Sequence, residues 1–157
     1  MLKAAANSRP TLWLVLALPG LWIAWRWIAT PELYGYGHAI GDSGDWAAWL
    51  LMATLAVTPL RLMFRKQAWT IWLMRRRRDL GVASFAYALA HTVMYLIRKG
   101  SPEFVFAELS TPYILAGWIA LALFLPLAIT SNDFSVRRLK RSWKRLHRLV
   151  YPATILA

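Results

Sequence analysis

Apolar residues dominate four stretches of the chain, and in each they occupy nearly every position around a helix rather than a single stripe. These stretches run from about Thr11 to Ala29, Trp46 to Phe64, Leu80 to Ile97 and Tyr113 to Thr130. A helix needs roughly 20 mostly apolar residues to cross a hydrocarbon core of about 30 Å. Core helices of a soluble protein would carry a polar face. The pattern therefore predicts an all-α, polytopic membrane helix bundle with four full spans. A cleaved leader would have a shorter apolar stretch and a small-residue cleavage site. The first stretch is longer, ends in Trp25-Arg26-Trp27 and is followed by further spans, so it reads as an uncleaved helix. After Leu146 the chain turns apolar again, from Leu149-Val150-Tyr151-Pro152 to Ala157, as the first part of a fifth span. Pro19-Gly20, Pro59 and Pro126 lie inside spans and predict kinks, since neighbouring helices can satisfy the backbone groups they free.

Polar residues punctuate this pattern unevenly. The linker after the second span carries Arg65, Lys66 and the run Arg75 to Arg78, and the one after the fourth carries Arg137, Arg138, Lys140, Arg141, Lys144 and Arg145. Between the first two spans there is no Lys or Arg, only Glu32, Asp42 and Asp45. By the positive-inside rule the basic linkers and the N-terminus face the cytoplasm. Trp25, Trp27, Trp46 and Trp49 fall at the outer boundary, and Trp69, Trp72 and Trp143 at the inner one, as an interfacial aromatic belt does. Residues 133–146 have Val136, Leu139, Trp143 and Leu146 at helical spacing among basic residues. They predict a cytoplasmic basic amphipathic helix on the lipid surface, capped by Asp133 or Ser135.

Composition changes the picture in two respects. The net charge of +12 would suggest nucleic acid in a soluble chain; here topology and anionic lipid account for it, and no nucleic-acid partner is expected. The absence of cysteine excludes disulfides, Cys-ligated zinc, iron–sulfur clusters and a thiol nucleophile. Phosphate-loop, dinucleotide and zinc-protease motifs are missing too, and Asp and Glu read as confined to linkers and helix ends.

What remains is histidine. His91 lies within the third span, where an ionisable side chain is costly unless it faces the bundle interior with a partner. At about 100° per residue, Ser84, Tyr87, His91, Tyr95 and Arg98 share one face. Cross-helix hydrogen bonding is the competing role for such a histidine. His147 begins the fifth span, with Tyr151 and Thr154 at i+4 and i+7, and His38 reads as a surface residue. Imidazoles from membrane helices are a common means of holding haem, with aromatic walls and basic groups for the propionates. Tyr87, Phe85, Tyr95 and the Leu and Met residues supply walls, and Arg75 to Arg78 and Arg145 supply the basic rim. Met52, Met63, Met74 and Met94 read as apolar filling.

Four segments carry a resemblance: Thr54-Leu55-Ala56-Val57-Thr58-Pro59-Leu60-Arg61, Arg76-Arg77-Arg78-Asp79-Leu80-Gly81, Tyr87-Ala88-Leu89-Ala90-His91 and Leu146-His147-Arg148-Leu149-Val150-Tyr151. Together and in this order they resemble the haem-binding membrane subunit of the bacterial protein-methionine-sulfoxide reductase system, the MsrQ or YedZ family of the ferric-reductase-like transmembrane group. The resemblance covers essentially the whole chain and implies one such domain over residues 1–157, incomplete at its C-terminus, in a six-helix, multi-pass inner-membrane cytochrome b. It implies that electrons enter from the quinone pool or a cytoplasmic flavin reductase and leave to a periplasmic molybdopterin-containing subunit. That partner, not this chain, would reduce methionine sulfoxide in oxidised proteins. Haem b is the implied cofactor, with FMN as a further one. His91 and His147 are the implied iron ligands, and Tyr87, Tyr95, Tyr151, Arg77 and Arg78 are candidate cofactor contacts. A further family histidine would fall just past Ala157. The wider group places two histidines on one helix about 14 residues apart, or about 21 Å; counting back from His91 reaches Arg77 and Arg78 instead. His91 is therefore expected to pair with the later histidine at an outer haem and His147 to serve an inner site, the alternative being one haem held by both. Outside this reading stand a non-redox scaffold for an outer partner and a ferric or quinone reductase of the same group.

Overall fold

The computed structural model describes residues 8–157. Among them four helices are long and apolar enough to cross a membrane: α1 (Arg9–Ala29), α2 (Tyr36–Met63), α3 (Ala68–Lys99) and α5 (Pro112–Ile129). Shorter helices are α4 (Pro102–Glu108), α6 (Asp133–Leu139), α7 (Arg141–Leu146) and α8 (Val150–Leu156), with a 3₁₀ turn at His147–Leu149 before the last. No strand occurs among the described residues. The protein is an all-α, multi-pass membrane protein.

Two helices start well before the predicted spans. α2 takes in Asp42 and Asp45, and α3 takes in the whole run Arg75 to Arg78. Apolarity marks the part of a helix that sits in lipid, not the helix itself. Arginine is a good helix former, and nothing in this run stops the ladder. With 32 residues α3 is about 48 Å long, well beyond the hydrocarbon core. Asp79 consequently lies inside a helix rather than at an end, contrary to the expectation for acidic residues. It is 3% exposed and paired.

The contacts divide into two compact units, one up to His91 and the other from Thr92 to Ala157. In the first, Leu50 and Val57 of α2 pack with Leu80, Ala83 and Tyr87 of α3, and Leu16 of α1 closes on them. Ser84 donates to the Ala47 carbonyl at 2.8 Å and Arg77 Nε to the Thr54 carbonyl at 3.2 Å, tying α3 to α2 by side chain–backbone bonds. Arg9, at the start of α1, forms a two-nitrogen fork on Asp79, with Nη2 to Oδ1 at 2.7 Å. Between α1 and α2, Tyr34 is buried, donates to Asp42 at 2.5 Å and stacks on His38. Its phenol is pushed up to about 12, first by burial and then by the Asp42 carboxylate.

In the second unit α8 packs along α5, burying Ala153 with Ala120 and Leu127. The predicted amphipathic helix over 133–146 is two helices. Lys140 breaks it with φ +47°, a conformation costly for a residue with a Cβ. The cap is also one residue earlier than expected: Asn132 accepts from the Ser135 amide at 2.8 Å.

Candidate functional site

The polar face of α3 meets backbone at each step. Tyr87 reaches the turn of α1 around Pro19. Its hydroxyl donates to the Leu16 carbonyl at 2.7 Å and accepts from the Gly20 amide at 2.7 Å. Gly20 and Leu16 are the partners of an ordinary i→i−4 helical bond, so the phenol stands between the two halves of one rung. Gly20 leaves room for it, since a Cβ there would lie 3.2 Å from the Tyr87 oxygen.

One turn further on, His91 is half-buried and its Nδ1 lies 2.8 Å from the Ile40 carbonyl of α2. A carbonyl only accepts, so Nδ1 carries the proton of the neutral ring and Nε2 keeps its lone pair. A bond of this kind orients an imidazole ligand and selects its tautomer. Gly44, one helical turn after Ile40, makes the approach possible: a Cβ there would come within 2.9 Å of Nδ1 and 3.3 Å of Cε1. His91 thus has the donor chemistry of an axial haem ligand. Among the described residues no three His, Asp or Glu side chains gather as a metal cage.

In the second unit Tyr95 donates to Glu108 Oε2 at 2.8 Å, and Lys99 pairs with Glu108 Oε1. The Lys99 bond comes first, then the Tyr95 bond, in holding the Glu108 carboxyl below its ordinary value. His147 stacks on Trp143 with ring centroids 3.9 Å apart, and its Nε2 lies 3.1 Å from the Thr130 hydroxyl. That hydroxyl already donates to the Pro126 carbonyl at 2.6 Å, so the single proton is used and Nε2–H is the donor to Thr130. Coordination through Nε2 and this bond exclude each other. The Trp143 indole donates to the Thr130 carbonyl at 2.9 Å and completes the clamp.

Of the other sequence candidates, Tyr151 is 58% exposed on α8, Arg77 is committed through Nε to Thr54, and Arg78 is half-buried on α3 with an interaction of its own. Sequence reasoning missed Ile40, Gly44, Leu16, Gly20 and Thr130. Carbonyls carry no residue signature, but Gly44, a small residue before Trp46, was a readable sign that another helix comes close there.

Comparison with known proteins follows the same lines. The family model described as "Ferric reductase like transmembrane component" matches residues 43–157. The protein-methionine-sulfoxide reductase heme-binding subunit MsrQ of Rhizobium meliloti (strain 1021) is 38% identical over 92% of this chain and 72% of its own length. The protein of the same name from Xanthomonas axonopodis pv. citri (strain 306) is 45% identical over 73% of this chain and 52% of its own; that from Xanthomonas oryzae pv. oryzae (strain MAFF 311018) is 44% identical over the same shares. The chain thus spans about half the length of these Xanthomonas relatives. No solved structure matches it.

Proposed function

The chain belongs to the MsrQ family within the ferric-reductase-like transmembrane group, and from that premise we propose that it is a haem b-binding electron-transfer subunit with His91 as an axial iron ligand. The observation that carries this is the His91 ring itself. It sits within a membrane-crossing helix, has its Nδ1 proton fixed on Ile40 and its Nε2 lone pair available, and lies over a glycine. When bound, haem supplies a one-electron couple, with potential tuned by ligand orientation and burial. The protein's part is to hold the ring. Ile40 sets its tautomer, Gly44 sets how closely α2 approaches, and Tyr87 ties α1 to the same face one turn away.

For His147 the Thr130 bond favours a packing role unless that bond is released on ligation. The wider system follows the same reading. Electrons enter from quinone or a flavin reductase at the basic, cytoplasmic side of the inner membrane, where the N-terminus also lies. They leave to a periplasmic molybdopterin-containing subunit that carries the catalytic site for methionine sulfoxide. The asymmetry of Lys and Arg between linkers supports that orientation. FMN, which the resemblance also implies, is assigned no residues.

The test is pigment. Membranes from haem-sufficient cells making the protein with a complete fifth helix are expected to show a Soret band that shifts on dithionite reduction, and His91→Ala in that protein is expected to remove most of it at equal protein level. Unchanged haem content in that variant removes His91 from the axial role. A colourless parent chain leaves only a scaffold reading.

A further inference from the structure

Seven cations, Arg137, Arg138, Lys140, Arg141, Lys144, Arg145 and Arg148, lie on α6, α7, the break between them and the 3₁₀ turn, and all seven are exposed. Between Glu108 and the end of the sequence the only acidic residue is Asp133, so nearly all of this charge lacks a counterion within its own stretch of chain. The arm follows directly from the membrane-crossing helix α5, whose end it grips: Trp143 bonds the Thr130 carbonyl and stacks on His147. Leu139, Trp143 and Leu146 are half-buried, whereas Phe134 is 63% and Val136 37% exposed beside the cations. The break at Lys140 holds a non-glycine residue at φ +47° where glycine would be unstrained, which places an ammonium at the corner between two basic helices.

We propose that this α6–α7 arm is a binding surface for anionic phospholipid headgroups, with Phe134 and Val136 entering the boundary between headgroups and acyl chains. Clusters of four to eight Lys and Arg next to a membrane helix attract anionic lipid through the negative surface potential. A basic surface with apolar side chains among its charges suits an interface that is charged above and apolar below. An acidic soluble protein would satisfy the cations but would leave Phe134, at the foot of α5, without that boundary. The proposal is tested apart from the haem reading, because Arg137, Arg138, Arg141 and Lys144, the residues substituted to test it, are not haem candidates.

The full chain, purified in neutral detergent from membranes containing phosphatidylethanolamine, phosphatidylglycerol and cardiolipin, is assayed for co-purifying lipid by native mass spectrometry. The parent is expected to retain phosphatidylglycerol and cardiolipin in excess of their share in the membrane, to lose that excess in 0.5 M sodium chloride, and to lose no more of it in inorganic phosphate at matched ionic strength. R137Q/R138Q/R141Q/K144Q is expected to retain several-fold less anionic lipid with phosphatidylethanolamine unchanged. Should that variant fail to fold, Lys140→Gly, which removes one cation and relieves the strained backbone, is expected to show a smaller loss in the same direction. An anionic lipid content equal to the membrane average in the parent overturns the proposal. So does displacement by phosphate several-fold beyond that by chloride at the same ionic strength, which makes the site one for free anion. Equal lipid in parent and variant, with an acidic soluble protein held only by the parent, assigns the arm to a protein partner and overturns it as well.

Discussion

Tyr87 shows how much a single hydroxyl can decide. A proline within a membrane helix frees backbone groups that have no water to turn to. Here the Tyr87 hydroxyl of another helix bridges Leu16 and Gly20, the rung next to the one that Pro19 cannot make. Tyr87→Phe keeps the ring and removes the bridge, leaving a donor and an acceptor unsatisfied among apolar neighbours. The expected cost is about 1–3 kcal/mol of stability, read from thermal unfolding in detergent. Haem retention is expected to weaken less than in His91→Ala, because the ligand itself is untouched. A melting temperature equal to the parent's would show that the Gly20–Leu16 rung closes without help. The stripe Ser84, Tyr87, His91 was legible at helical spacing, and the structure brings all three against carbonyls of α1 or α2. Which carbonyl each would find was not legible, because every residue has one.

At the scale of elements, the connection between α3 and α5 is built around Glu108. This segment contains α4, begun by Ser101, whose hydroxyl accepts from the Glu103 amide at 3.3 Å, and by Pro102. Glu108 at its end takes both Lys99 and Tyr95 from the end of α3. Its folded-state carboxyl titrates below the ordinary value of 4.5. The stabilisation is therefore fully present above that value and is lost as pH falls through the folded-state titration. Glu108→Gln is expected to lower stability at neutral pH and to flatten the acid limb of a stability-against-pH profile, so that parent and variant converge at low pH. An acid limb as steep as the parent's would place the sensitivity elsewhere. The split of residues 133–146 at Lys140 has a related origin. Apolar spacing predicts which side chains turn inward, and Leu139, Trp143 and Leu146 do so. Spacing says nothing of the hydrogen bond from Trp143 to Thr130, which is available only when the chain bends.

At the scale of the molecule, the basic run on α3 does more than set orientation. Asp79 follows directly after it and is gripped by Arg9 from the start of α1, with Arg76 at 3.9 Å. The pair fastens the first crossing helix to the third across 70 residues of sequence. Asp79 is buried while the Arg9 side chain is 54% exposed. The cost of Asp79→Asn is therefore expected between the ~1 kcal/mol of an exposed pair and the ~3–5 kcal/mol of a fully buried one. Arg9→Gln is expected to cost a comparable amount, and the double variant less than the sum of the two, as for residues in direct contact. Fully additive losses, measured by thermal unfolding in detergent, would show that the two residues act apart.

The amino-acid order alone determined that the chain crosses a membrane several times, because the cost of placing peptide groups in lipid leaves helices as the available solution and apolar length locates them. It also singled out His91, since an ionisable group at that depth needs a reason. Tertiary structure alone decided how far the helices extend into polar sequence and where the 133–146 segment bends. It also decided that His91 is held with Nε2 open while His147 is turned onto Thr130. Those outcomes rest on backbone carbonyls, glycine clearances and a shared hydroxyl proton, which are properties of neighbours in space and have no counterpart in the spacing of residues along a chain.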